Sequence, residues 1–357
     1  MDTGLTIAMI LATPGTGWGG MEKHAAELAA ALAARGHRIH VLAHPAYLSQ
    51  FGAAVTVHPL PLHLGRRNPW LRFRIQRTLR SIRPDITHAQ GNKAASLLSR
   101  TQKFAGVTLG TVHGTKTSHR AFAGLDGVIA VSADILAALP HRNKRLIHNG
   151  LIPATTNHGT TGTTIPIPDD RPVLLAAGRL EPVKQFDRLI QAWIDARVAG
   201  TLVILGEGSQ RGRLTALIRK LEVEDRVLLP GFETNTGAWL KAASACVISS
   251  KREGFPYILV ESLRARCPVL ATPVSGVREF LPLDCIANSD STADLSRLIS
   301  QHAHSLHALH ALANHQTAAF ERAAHTLSQE AMVTATAQFY HQLIADASPA
   351  GSSPAPR

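Results

Sequence analysis

Along the chain, short runs of aliphatic and β-branched residues alternate with longer Ala- and Leu-rich segments whose apolar positions recur at helical spacing. Thr6 to Ala12, Arg38 to Ala43, Val107 to Val112, Gly127 to Val131 and Arg145 to His148 read as strands. Strands separated by helical segments are βαβ units, and these imply a parallel sheet. Gly20 to Arg35 carries the helical spacing and stops before Gly36, a residue suited to a left-handed helix end. Ser132, with Asp134 in the first turn, starts another helix.

Residues 151–171 (LIPATTNHGTTGTTIPIPDDR) lack either period, as a linker between compact bodies would. The pattern then restarts with a strand at Val173 to Ala177, a helix at Gln185 to Ala196, a strand at Thr201 to Leu205, a helix at Gln210 to Leu221, and strands near Val227 and Cys246. From His302 to Ala347 the chain is helical, Ala- and His-rich, and a Ser, Pro and Ala terminus follows. The expected map is a first α/β domain over 1–153, a linker over 154–171, a second α/β domain over 172–328 and a flexible tail over 348–357. A helix at about 329–347 is expected to pack back on the first domain.

Composition narrows the class. With 357 residues, 45% apolar and 17% charged, the chain is large enough for two ordinary domains, and intrinsic disorder is excluded. The formal net charge is +12, and it is unevenly distributed: residues 1–150 hold 18 Lys or Arg against 6 Asp or Glu, while residues 151–357 hold 19 of each. Either the first domain meets something acidic or the proteome is basic throughout; the split is compatible with both. Cys246, Cys267 and Cys285 form an odd set without CxxC spacing, which argues against a disulfide framework and fits the cytosol. The apolar run from Ile7 to Ala12 is too short for a secretory signal, and no stretch approaches the roughly 18 apolar residues of a membrane span.

Three segments carry candidate chemistry. In SSKREGFPYILVESLRARCPVLAT, residues 249–272, Glu253 follows a strand at a helix entrance, Pro256 suits the first helical turn, and Glu261 lies about two turns further on. Backbone N–H groups at such an entrance attract phosphate or sugar oxygens, and a carboxylate beside them binds hydroxyls; simple capping is the ordinary alternative. In VLLAAGRLEPVKQFDRLIQAW, residues 173–193, Arg179 and Lys184 follow Gly178 at the carboxyl end of a strand, where open α/β sheets bind ligands. A guanidinium fork and an ammonium point charge together fit a diphosphate, against the plainer reading of two solvated cations. The Gly-rich turn of Gly15, Gly17, Gly19 and Gly20 permits close backbone approach to an anion, but it is neither GxGxxG nor a Walker A motif.

Taken together these segments resemble retaining glycosyltransferases of the GT-B type, in particular glycosyltransferase family 4. The resemblance runs from residue 5 to about 345 and rests on GGMEKH at 19–24, TVHG at 111–114, VSADI at 131–135, HNG at 148–150, GRLEPVK at 178–184, LVILGEG at 202–208, LLPGF at 228–232 and EGFPYILVE at 253–261. It implies two Rossmann-like α/β domains facing each other across a cleft. Glu253 would lie beside the donor sugar and Glu261 would bind the nucleotide ribose. Arg179 and Lys184 would hold the donor diphosphate and stabilise the leaving group as charge builds on it. His113 matches the family's histidine near the sugar, Gly19 and Gly20 the glycine loop near the diphosphate or acceptor, and Gly231 and Phe232 the wall beside the nucleobase. Gly178, Gly254, Phe255, Pro256 and Tyr257 complete the expected donor site. Pro256 stands where many relatives have Gly and removes one backbone donor, which leaves Phe255 and Tyr257 to supply N–H groups; Gln185 replaces the common Gly after the Lys.

No DxD pair is present, so the resemblance implies metal-independent transfer without a cofactor, the nucleotide-sugar being a co-substrate. The series His302, His304, His307 and His310 lacks Cys or carboxylate company for a metal site. In HLGRRNPWLRFRIQRTLRSIR, residues 63–83, Arg66, Arg67, Arg72, Arg74, Arg77, Arg80 and Arg83 are interleaved with Trp70, Leu71, Phe73, Ile75, Leu79 and Ile82. That pattern fits an anionic membrane surface, and its apolar stripe equally fits packing on a sheet. The expected activity is hexose transfer, from a UDP-sugar by preference, to a lipid-linked or phosphorylated envelope glycan such as lipopolysaccharide core. It would take place in the cytoplasm or on the inner face of the cytoplasmic membrane. Alternatives are an epimerase or phosphorylase of the same architecture, or a nucleic-acid-binding protein, the last without any RRM, KH or helix-turn-helix signature.

Overall fold

The computed structural model describes residues 4–15, 17–101, 106–115, 118–151 and 171–347. They form two compact units, one of residues up to 148 together with those from 329 onward, the other of residues 149–328.

The first unit runs β1 (Thr6–Leu11), α1 (Gly20–Ala34), β2 (Arg38–Ala43), β3 (Val55–Pro59), α2 (Pro69–Ile82), β4 (Ile86–Gln90), α3 (Gly91–Leu98), β5 (Val107–Val112), β6 (Gly127–Ala130), α4 (Ala133–Ala138) and β7 (Lys144–Leu146). Its seven strands are all parallel, in the order β3-β2-β1-β4-β5-β6-β7. β1 is buried over its whole length, as a central parallel strand covered on both faces must be. The chain first walks outward from β1 and then restarts at β4 on its other side. The carboxyl ends of β1 and β4 therefore flank a topological switch point, the place where such sheets bind ligands. β3 and β4 escape the sequence pattern. β3 is half-exposed, and β4 (ITHAQ) carries polar residues through a fully buried strand.

The second unit runs β8 (Val173–Ala177), α5 (Phe186–Asp195), β9 (Thr201–Leu205), α6 (Arg211–Lys220), β10 (Val227–Gly231), α7 (Thr236–Ala242), β11 (Ala245–Ile248), α8 (Tyr257–Arg264), β12 (Val269–Ala271), α9 (Thr292–Ala303), α10 (Leu306–His315) and α11 (Thr317–Thr326). Its five parallel strands lie in the order β10-β9-β8-β11-β12, which puts the switch between β8 and β11. α5 buries Phe186, Leu189, Ile190 and Trp193 at helical spacing. The short edge strand β12 is closed by the buried Gln316: its Oε1 accepts from Val269 N–H at 2.9 Å and its Nε2 donates to Val269 O at 2.8 Å. A side-chain amide thus takes the place of a strand beside Val269, while Ala271 further along the same edge pairs with Ile286.

The units divide at 148/149, ahead of the 153/154 expected from composition. Asn149 Nδ2 donates to Phe255 O at 3.2 Å and Leu151 N–H to Leu327 O at 3.1 Å, so these residues are hydrogen-bonded into the second unit before the Thr- and Gly-rich stretch begins. Residues 154–170 of the expected linker over 154–171, and the expected tail over 348–357, lie outside the described residues.

α12 (Gln329–Ala347) belongs to the first unit, where Met332, Val333, Phe339, Tyr340 and Leu343 join the core around β1. Gly127 leaves room for it, since a Cβ there would stand 2.5 Å from Leu343 Cδ1. Polar contacts secure both ends: Arg35 pairs with Glu330 at 2.6 Å, Arg145 donates to Gln342 Oε1 at 2.6 Å, and the Arg145 guanidinium lies 5.0 Å over the Phe339 ring. Among the described residues no helix is long and apolar enough to cross a membrane.

Candidate functional site

In the second unit, the switch point between β8 and β11 brings together two of the residues marked by the sequence. Lys184 leaves the loop after β8 and Glu253 the loop after β11, and Lys184 Nζ donates to Glu253 Oε1 at 2.6 Å. Ser250 Oγ donates to the same oxygen at 2.7 Å. The two side chains retain 20% and 17% exposure, so the pair is sheltered yet reachable. Ser249 Oγ donates to Lys184 O at 2.8 Å and Lys251 N–H to Val183 O at 2.8 Å, which locks the loops to each other.

Arg179 stands exposed at the carboxyl end of β8, and no carboxylate among the described residues pairs with it. Beside it, the aliphatic stem of Lys184 lies over Gly178, where a Cβ would meet Lys184 Cε at 3.1 Å. Gly206, at the end of β9, has φ +140 and a Cβ there would come within 1.9 Å of Gly178 O, so only glycine allows these two strand ends to approach. Lys184 ends a 3-10 turn, and Gln185 then enters α5 in the left-handed region at φ 51, a conformation that favours glycine. Gln185 offsets its strain with a 3.1 Å hydrogen bond from Nε2 to Asp290 Oδ2.

Gly254, Phe255 and Pro256 are buried behind Glu253, while Tyr257 and Glu261 share the partly accessible face of α8. Pro256 does not enter the first helical turn as expected; it caps α8 from outside with φ −64 and ψ 126, extended values that a residue ahead of a helix adopts. Phe255 packs edge-on against Phe280 at 5.8 Å and over Gly276, where a Cβ would meet its ring at 2.3 Å. At the ends of β9 and β10, Gly231 is buried and Phe232 is 68% exposed. Arg211 braces that edge, pairing with Glu207 at 2.7 Å and donating to Leu229 O at 3.0 Å.

In the first unit, Gly19 and Gly20 sit at the entrance of α1 after β1. Gly19 N–H donates to Glu22 Oε2 at 3.1 Å. This narrows the expectation that Gly19 receives an anion, because a carboxylate already occupies its N–H; Gly20 remains exposed in the first turn. His113 follows β5 and is half-buried. Its Nε2 meets Gln90 Oε1 at 2.7 Å, and its ring meets His24 edge-on at 4.7 Å. Burial, with the His24 and His88 charges next, holds the His113 pKa well below the usual value, so the ring is neutral near pH 7. His88 and Gln90 do not stand out in the sequence; the available signal is Thr87, His88 and Gln90 interleaved with Ile86 and Ala89 in a short run bounded by Pro84 and Gly91.

The histidines at 302, 304, 307 and 310 do not gather. The one group of potential metal ligands among the described residues is Asp284, Cys285 and His315, with ligand atoms within 4.8 Å of one another, and a 3.1 Å hydrogen bond between His315 Nε2 and Asp284 Oδ1 accounts for its closeness. Burial pushes the Cys246 thiol up to about 12 and the Cys285 thiol to about 11, and raises Cys267 as well, so none offers a thiolate nucleophile. In the basic segment, Asn68 caps α2 by accepting from Leu71 N–H at 3.0 Å, and Leu71, Ile75 and Leu79 are buried. The apolar residues therefore divide, for Trp70 and Phe73 remain 50% and 57% exposed on a face shared with Arg77 and Arg80.

Residues 18–154 match the sequence model of Glycosyltransferase Family 4 and residues 163–284 that of Glycosyl transferases group 1. Over 108 residues the chain is 39% identical to the N-acetylgalactosamine-N,N'-diacetylbacillosaminyl-diphospho-undecaprenol 4-alpha-N-acetylgalactosaminyltransferase of Campylobacter jejuni, a match covering 30% of each protein. Over 115 residues it is 35% identical to the lipopolysaccharide core biosynthesis glycosyltransferase LpsE of Rhizobium meliloti, covering 32% of this chain and 33% of that one. The matched part is thus about a third of these relatives' length. Among solved structures, sucrose-phosphate synthase of Thermosynechococcus elongatus superposes with TM-score 0.81 at 19% identity, covering 96% of this chain and all of the other. HepE of Anabaena, solved with UDP-glucose, gives TM-score 0.77 at 19% identity, covering 95% of this chain and all of HepE.

Proposed function

The chain belongs to the GT-B glycosyltransferases, with a Family 4 domain ahead of a group 1 domain, and we propose that it transfers a hexose from a nucleotide-diphosphate sugar to an envelope glycan with retention of anomeric configuration. The observation that carries this reading is the Lys184–Glu253 pair beside exposed Arg179 at the second unit's switch point. Two side-chain cations suit a departing diphosphate, whose charge grows as the glycosidic bond breaks, and the proposal gives that task to no metal ion. Glu253, which holds Lys184 in place, is the carboxylate next to the sugar; Glu261 receives the ribose, and Gly231 with Phe232 flanks the base. UDP is the preferred nucleotide, supported by the bound donor of HepE. A neutral His113 serves as a hydrogen-bond partner of the sugar.

For the acceptor, the relatives that build a diphospho-undecaprenol glycan and lipopolysaccharide core support a lipid-linked or phosphorylated glycan. An epimerase or phosphorylase would instead release free sugar or sugar phosphate. Proton NMR of the product from a UDP-hexose and a lipid-linked acceptor tests the reading: an α-linked product from an α-linked donor is expected, and inversion, or sugar phosphate alone, contradicts it.

The same reading assigns α2 to the membrane leaflet that carries such an acceptor, at the inner face of the cytoplasmic membrane. Two exposed aromatics among seven arginines, with no acidic residue from 60 to 84, suit anionic headgroups. The protein is expected to sediment with phosphatidylglycerol vesicles and not with phosphatidylcholine vesicles. Trp70→Ala with Phe73→Ala should weaken that binding about tenfold or more. Equal binding to both vesicles, or to neither, removes the assignment.

A further inference from the structure

Within the first unit a file of polar side chains runs through the core from α12 to His113. His88 and Gln90 project from the same face of the wholly buried β4, and Thr111 is the register partner of Gln90 on β5. Tyr340 Oη meets His88 Nδ1 at 2.7 Å, Thr111 Oγ1 meets His88 Nε2 at 2.7 Å, Gln90 Nε2 lies 3.4 Å from His88 Nε2, and Gln90 Oε1 meets His113 Nε2 at 2.7 Å. His88, Gln90, Thr111 and Tyr340 are at most 1% exposed. A core required only to pack would hold aliphatic residues here, because each buried polar group demands a partner and an incomplete network is worse than none.

The orientation of the Gln90 amide sets the direction of the file. Gln90 Oε1 can only accept, so His113 Nε2 carries a proton. The amide nitrogen of Gln90 then faces His88 Nε2, which must be the unprotonated nitrogen and accepts from Thr111 Oγ1 as well. His88 Nδ1 holds the remaining proton and donates to Tyr340 Oη. Turning the Gln90 amide over would place an N–H donor against His113 Nε2 and reverse its tautomer, so the arrangement distinguishes two states rather than a continuum.

We propose that Gln90, His88 and Tyr340 are positioning residues that fix His113 as the Nε2–H tautomer and so leave its Nδ1 as the ring's single acceptor for a substrate hydroxyl. Tyr340 brings α12 into the site by this route, although it touches no substrate itself. The proposal rests on the reading that His113 meets the sugar. The ring nitrogen proton is the property a tautomer-fixing residue controls and a merely space-filling one does not.

The test is long-range 15N–1H NMR of the histidine rings in the full chain, combined with transfer kinetics. The wild type is expected to show His113 as one Nε2–H tautomer, and Gln90→Ala to show a mixture. Tyr340→Phe, which keeps the ring and its packing, should shift the His88 resonances. Both variants should lower kcat about tenfold with the donor KM within twofold. An Nδ1–H or mixed His113 in the wild type, or an unchanged kcat in both variants, overturns the positioning role. If His113→Ala leaves transfer intact, it is instead the placement of His113 at the sugar that fails, and the tautomer result stands apart from it.

Discussion

Replacing Lys184 by Ala is expected to lower kcat/KM for the nucleotide sugar by roughly 10²–10³, the usual consequence of deleting one fixed charge aimed at charge that develops in a transition state. Two effects add in the same direction. The ammonium is lost, and the 17%-exposed carboxylate of Glu253 then faces an incoming diphosphate without the Lys184 charge beside it. Arginine is not expected to rescue. The compact ammonium sits 2.6 Å from Glu253 Oε1, and a planar guanidinium fork on a longer stem does not reproduce that point charge. Arg179→Ala, at an exposed position, should cost about one order of magnitude through weaker donor binding. Initial-rate kinetics on variants that melt like the wild type check both; a change below threefold for Lys184→Ala contradicts the assignment.

A second large effect belongs to the polar file of the first unit. Burial pushes the His88 pKa down to about 3, with the His24 charge adding to it, while an unfolded chain carries an ordinary histidine at 6.5. The folded state therefore binds fewer protons than the unfolded state between these values. Stability conferred by neutral His88 is complete above pH 6.5 and falls as pH drops toward 3, by roughly 1.4 kcal/mol per pH unit for this residue. His113 shifts in the same direction, and Tyr340, the other titratable group on His88, stays neutral throughout because burial raises its pKa. Urea unfolding followed at several pH values should show the midpoint falling steeply below pH 6.5, with a shallower fall in His88→Gln. A midpoint flat from pH 6.5 to 4 contradicts a neutral buried His88.

How much of this was legible in sequence depends on how local the cause is. The alternation of apolar runs with helical segments was sufficient for two parallel-sheet units, because β8 is apolar throughout, β1 and β9 are apolar after a leading Thr, and β2 departs only at Arg38 and His40. Arg179, Lys184 and Glu253 stood out since each follows a strand whose end is marked by its own residues. That Lys184 bonds Glu253, 69 positions away, depends on β11 lying next to β8, which no local pattern specifies. β4 was hidden by the property that matters most: His88 and Gln90 look like loop residues until Thr111 and Tyr340 satisfy them, and Tyr340 lies 252 positions from His88. β12 is three residues long and its edge is completed by Gln316, 47 positions later. At the boundary, composition marked where regularity ends, whereas the hydrogen bonds of Asn149 and Leu151 mark where the second unit begins. In α2 the spacing of apolar residues could not separate Leu71, Ile75 and Leu79, which face the core, from Trp70 and Phe73, which do not.

On the proposed reading, side-chain cations alone hold a nucleotide diphosphate in the second unit. Thermal unfolding of the full chain in EDTA, with UDP-, GDP- and ADP-sugars in turn, checks this, because a ligand that binds only the folded state raises the melting temperature. One of the three should raise it in EDTA, and Lys184→Ala should abolish that rise. Stabilisation that appears only when a divalent cation is supplied, or with none of the nucleotides, would contradict the account.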